Sequence, residues 1–403
     1  MKNKKILQIL NKSTFLIVFL YCFLLVNAQL GNTGETPKYE IHIKFAETGL
    51  KTLYCDDYIE LFHTENINFY KVDKNGVKQN INSLLLKSSN EGFCGSPIKY
   101  DVSSIEDKII MEFIGSPYSL EQLFADSHIS KIERFDYPFP VEDTDFNSIF
   151  YHCAELTHVD ISKLSFVNVE DVSNMFYSCT NLVEVIFPSN EKAMNIENFA
   201  DMFAFSTKLK NIDLSSFSFI NAKDIGYMFN GCEKLERIIF PQNEKAEKLE
   251  IMSDAFANCR NLKSLDLSNF SFKNARNTAY MFNGCTNLTE IKLPITEKAT
   301  SLQYCKYMFA GCTKLTSIDL SGLSFVNIND ISSMFYGCSS LETLILPKEE
   351  TASNIRDFSS MFHGCSKLTS IDLSNIDFVN AKKLSYMFYG CSNITTLTLP
   401  TSA

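Results

Sequence analysis

The sequence predicts an α/β solenoid, with one short strand and one short helix to a turn, behind a small β-rich head. Three observations carry this. The phrase Met-Phe-x-Gly-Cys-x-x-Leu-x-x-Ile-x-Leu recurs, with Met-Phe at 175, 202, 228, 281, 308, 334, 361 and 387 and Ala255-Phe256 as a degenerate copy. Its spacing alternates between 27 and 26 residues, the mark of turns that pack only on their neighbours. Within each turn the apolar residues follow a helical stripe and then alternate.

Residues 1–28 read as a secretory signal. Lys2, Lys4, Lys5 and Lys12 make a basic start, Phe15 to Val26 is apolar throughout, and Val26-Asn27-Ala28 offers a cleavage site. Twelve apolar residues span only ~18 Å as a helix, short of a ~30 Å hydrocarbon core. An uncleaved anchor is the alternative.

Residues 37–115 lack the repeat. Tyr39, Ile41, Ile43 and Phe45 alternate as in a half-buried strand. Ile67 to Val72, Asp73-Lys74-Asn75-Gly76 and the residues from Val77 read as a hairpin, and Asp107 to Ile114 as a further strand. This head either covers the open end of the first turn or serves as a binding module. It holds Cys55 and Cys94, the two cysteines outside both the signal and the repeat. They form a candidate disulfide, with two separate thiols as the alternative.

The solenoid spans 116–403, starting with a worn turn at Leu123-Phe124 and a better one at Ile149-Phe150. The worn turn is one residue short between Phe124 and Ile129. With the Met of each turn numbered 0, apolar residues at −3, 0, +1 and +4 predict a short helix. Those at +10 and +12 predict a short strand. Glycine at +3, as at Gly231 and Gly311, suits a left-handed residue ending that helix.

Turns alternate in type, giving a double period of 53. One type carries Asp-Leu-Ser and then Phe-x-Asn, where Asn168, Asn221, Asn274, Asn327 and Asn380 are placed as helix N-caps. Asp171, Asp224 and Asp330 follow three residues after the Asn position, suiting a helix start. The other type ends its strand in Pro188, Pro241, Pro294, Pro347 and Pro400.

The Leu-x-x-Ile-x-Leu strand preceded by Met-Phe-x-Gly-Cys resembles the BspA-like leucine-rich repeat surface proteins over roughly residues 120–403. The resemblance implies a curved leucine-rich repeat solenoid with a parallel sheet on one face and short helices on the other. It implies secretion or surface display, adhesion to host or matrix proteins, and no enzyme activity. The chain departs from many relatives in showing no C-terminal anchor.

Cysteine holds +4 from Cys153 to Cys391, with Ser206 standing in once. No Cys-x-x-Cys pair occurs, so these read as buried, space-filling thiols that donate weakly to carbonyls rather than as a zinc site. Cys305 holds −3, a core position. The strand position +11 carries Asp160, Asp213, Asp266, Asp319 and Asp372 on one turn type. On the other it carries Ile186, Ile239, Lys292 and Ile345. These should point away from the core as an acidic and apolar stripe. The Asp residues recur about 10 Å apart, too far to share a calcium ion. The stripe is therefore either a partner-binding face or an inheritance from a duplicated two-turn unit.

A net charge of −10 and the lack of a basic stripe exclude nucleic acid as a partner. No phosphate loop, nucleophile elbow or His-x-x-x-His spacing is present, so no catalytic residue, cofactor or metal is assigned. The expected protein is secreted or displayed at the cell surface and binds another macromolecule through its sheet face. The alternative is a structural or self-assembling surface-layer protein, associating through an uncapped last turn.

Overall fold

The computed structural model describes residues 38–55, 67–87, 97–114, 123–136, 145–189, 191–242, 244–348 and 351–401. The signal at 1–28 lies outside the described residues, as do Cys94 and the side chain of Cys55, and with them the candidate disulfide. Tyr39–Ala403 form one compact unit.

The head strands are β1 (Lys38–Lys44), β2 (Gly49–Cys55), β3 (Ile67–Val72), β4 (Lys78–Asn80), β5 (Leu86–Lys87), β6 (Pro97–Val102) and β7 (Lys108–Ile114). β3 and β4 form the expected hairpin. Its turn is held by Asp73 Oδ1, which accepts the Asn75 and Val77 amides at 2.8 and 2.9 Å. β2, β6 and β5 make a separate three-stranded sheet. The strand of the worn first turn is β8 (Lys131–Asp136), followed by β9 (His158–Asp160) and β10 (Glu184–Ile186). A seven-stranded sheet runs β10-β9-β8-β1-β7-β3-β4, with β8 antiparallel to β1 and parallel to β9. The head thus pairs directly with the edge of the first turn, leaving that edge no free ladder. Ile132 of β8 stands opposite Val159, which confirms the missing residue in the first turn.

The later strands are β11 (Asn211–Asp213), β12 (Arg237–Ile239), β13 (Ser264–Asp266), β14 (Glu290–Lys292), β15 (Ser317–Asp319), β16 (Thr343–Ile345), β17 (Ser370–Asp372) and β18 (Thr396–Thr398). Each Asp-type strand pairs in parallel with the Pro-type strand after it. Among the described residues no ladder joins β10 to β11, β12 to β13, β14 to β15 or β16 to β17. The continuous parallel sheet expected of this face is instead a row of two-stranded sheets. The complementary stitch lies in the loops. Ala193, Ala246, Ala299 and Ala352 of the Pro-type turns bridge to Phe217, Phe270, Leu323 and Ile376 of the next Asp-type turns.

The predicted helices are overturned: among the described residues there is no α-helix. The stretch from −4 to +4 is a ladder of tight turns. Position −1 is left-handed in every turn from the second on, at φ 56–59°, even where it is Asp201, Tyr227 or Tyr307. Position +3 is left-handed as well, with Gly231 at φ 72° and Ser178 at φ 57°. A right-handed helix cannot pass two left-handed residues four apart. Amides alternate instead. Met175, Tyr177 and Cys179 donate back three residues, while Asn174, Phe176 and Ser178 donate to Ala200, Met202 and Ala204 of the next turn at 2.9, 2.8 and 2.7 Å. A reversal every four residues buries nearly the same positions as a helix, which is why the apolar stripe read as one.

The expected N-caps are corrected with it. Asn221, Asn274, Asn327 and Asn380 donate their side-chain amides to carbonyls of the preceding turn at 2.8–2.9 Å. Asp171, Asp224 and Asp330 each accept the amide two residues on, closing an Asx turn at 2.7–2.9 Å rather than starting a helix.

The core consists of columns. Rings at +1 stack continuously from Phe124 to Phe388, with centroids 5.1–5.8 Å apart. Beside them every thiol at +4 donates to the +1 carbonyl of the turn before, as Cys179 does to Phe150 at 3.1 Å and Cys338 to Phe309 at 3.1 Å. Ser206 makes the same bond to Phe176 at 2.9 Å. Burial pushes the thiols of Cys285 and Cys338 up to about 12. Cys305 is fully buried at −3.

Candidate binding face

Side chains at +11 stand beside the buried +10 position and turn outward, as their place in a three-residue strand requires. Parallel pairing sets them edge to edge: Asp160 with Ile186, Asp213 with Ile239, Asp266 with Lys292, Asp319 with Ile345, and Asp372 with Thr398. Ile186 and Ile345 are 44% and 41% exposed. The predicted stripe therefore exists, grouped as Asp-plus-partner pairs.

The structure adds a role that the sequence reading missed. Each of these Asp residues accepts the backbone amide two residues on. The acceptances are Asp160 from Ser162 at 3.0 Å, Asp213 from Ser215 at 2.9 Å and Asp266 from Ser268 at 3.0 Å. Asp319 and Asp372 do the same with Ser321 and Ser374 at 2.8 and 3.0 Å. Asp-Leu-Ser is thus an Asx turn that ends the strand. The recurring Ser was the signal for it. One carboxylate oxygen is committed to the backbone and the other is left for a neighbour or partner.

Internal cations take that second oxygen in two places. Lys292 lies 3.4 Å from Asp266 and Lys348 lies 3.2 Å from Asp372. The Ser268 hydroxyl, then its amide and Lys292, hold the Asp266 carboxyl below the usual range against a burial penalty. Ser374, through hydroxyl and amide, and then Lys348 do so for Asp372. At the head end of the face, β8, β9 and β10 frame a shallow cleft of about 240 Å³ holding Lys131, Glu133, His158, Asp160, Glu184 and Ile186. Glu133 there is ion-paired to Lys44 at 2.9 Å and Lys108 at 3.1 Å.

The model of the BspA type leucine rich repeat region, in six copies, matches residues 202–326 and 278–403, which together make up half of the chain. The chain belongs to the BspA type leucine rich repeat family. Residues 144–248 also match a family described as a Mycoplasma protein of unknown function. No curated protein matches the chain. In this BspA type array the recurring phrase of the repeat is the buried column set, and the +11 pairs stand outside it.

Proposed function

We propose that the chain is a secreted or cell-surface protein that binds another macromolecule, a host or matrix protein, through the sheet face. The observation that supports this reading is the row of outward Asp-plus-partner pairs repeated along a long BspA type array. A regular, partly apolar face of that length fits an extended protein partner, as in other repeat proteins. No helix among the described residues is long and apolar enough to cross a membrane.

The Asx turns dictate the test. Alanine would remove both the charge and the amide acceptor, whereas asparagine removes the charge and keeps the acceptor. The triple variant Asp213→Asn, Asp266→Asn, Asp319→Asn is expected to fold and to lose attachment to intact cells and to laid-down matrix. Unchanged attachment by the folded variant would overturn the sheet face as the binding surface.

A further inference from the structure

A second outward surface runs along the turn ladder at positions −4 to +3, and its two halves differ. In the five turns from 145 to 258 it carries Asp145, Asp171, Asp201, Asp224 and Asp254, and no Lys or Arg. The later turns carry Asp330 and Asp357 and supply cations of their own, Lys306 and Lys383. Both of those lysines are engaged: Lys383 lies 2.9 Å from Asp357, and the Lys306 ammonium sits 5.7 Å from the Tyr280 ring centre. Among the described residues Asp171, Asp201, Asp224 and Asp254 have no such ion pair.

Aromatic rings interleave with these carboxylates. Tyr151 stacks on Tyr177 at 5.0 Å, and Tyr177 meets Phe205 edge-on at 5.5 Å. Phe205 and Tyr227 are 42% and 43% exposed. Tyr227 lies within electrostatic reach of Asp254. Exposed rings set among uncompensated carboxylates suit an ammonium or guanidinium group, by charge and by cation–π attraction. The later half of the same ladder already uses both contacts internally. The carboxylates are also kept at a cost to the fold. Burial, and then Asp224 and Asp254, raise the Asp201 carboxyl to about 6, and burial raises Asp224 and Asp254.

We infer that the acidic and aromatic strip from Asp171 to Asp254 docks a Lys/Arg-rich segment of a protein partner. It is separate from the sheet face and does not depend on it. The test uses the full chain and a fluorescent deca-lysine peptide, read by anisotropy at low salt. Asp201 and Asp254 have left-handed backbones, which asparagine tolerates, so Asp201→Asn with Asp254→Asn should fold. Asp101→Asn with Glu106→Gln removes the same charge from exposed positions of the head, outside both faces, and serves as the control. The strip variant is expected to bind about ten-fold more weakly and the control to stay within about two-fold of the native chain. Equal weakening in both variants would reduce the effect to net charge and overturn the assignment, as would unchanged binding by the strip variant. Spermine binding the strip as tightly as the peptide would also overturn it, in favour of a small polycation.

Discussion

At the residue scale the +4 column shows how little chemistry its cysteines carry. Each thiol gives its hydrogen to a Phe carbonyl one turn back, all but the half-buried Cys391 from a fully buried position, and Ser206 does the same with a hydroxyl. Cys312→Ser is therefore expected to change stability by less than about 1 kcal/mol. Cys312→Leu should cost about 1–3 kcal/mol by overpacking. Urea midpoints would compare the two. The native chain should react with a thiol reagent at the repeat cysteines from Cys153 to Cys365 only after unfolding. Asp201 gives a pH dependence whose sign follows from its raised carboxyl. The folded chain holds that proton more tightly than the unfolded chain, with its ordinary value of 3.8. This contribution is fully present below pH 3.8 and is lost as pH rises through about 6. Asp201→Asn should flatten that slope. It should also stabilise the chain at neutral pH by on the order of 1 kcal/mol, discounted because the group is half-exposed. Denaturation at pH 4 and pH 7 would measure both effects.

At the element scale the Asx turn is the recurring device. Asp266→Ala should cost about 1 kcal/mol in urea unfolding through loss of the Ser268 amide acceptor, and Asp266→Asn close to nothing. Much of this scale was legible in the sequence. Met334, Phe335, Cys338 and Leu341 repeat at fixed offsets, and all four are fully buried. The head hairpin announced itself through Asp73 and Gly76. The helix misled because periodicity reports only which side chains face inward. Tyr307 and Ser333 give no sign in the sequence that their backbones are left-handed, since neither is a glycine. The binding stripe was legible as a column, but its capping duty was not, although Ser215, Ser268 and Ser374 each stood two residues on. The strip between −4 and +3 is open to the same column count, but a helical stripe at −3, 0, +1 and +4 says nothing of the positions between. A far-UV circular dichroism spectrum without the helical double minimum would check the turn ladder directly.

At the scale of the whole molecule, stability is a sum of contacts between neighbouring turns. The Phe stack runs through all of them, so a break in its middle isolates two halves. Phe256→Ala should cost about 3–5 kcal/mol and split urea unfolding into two transitions, whereas Phe388→Ala in the last repeated phrase should leave one. The alternate stitching has a further consequence. Strand ladders join an Asp-type turn to the Pro-type turn after it, and loop bridges join that Pro-type turn to the next Asp-type turn. Ion pairs reach across a whole double turn, from Lys192 to Glu244 and from Lys245 to Glu297. A gene that loses or gains 53 codons therefore leaves every junction chemically matched. One that loses 26 or 27 sets two turns of one type side by side, so that a strand edge meets a loop edge and neither is completed. Length in such a protein is inherited in pairs of turns, and recombination can lengthen or shorten the binding faces without redesigning any contact.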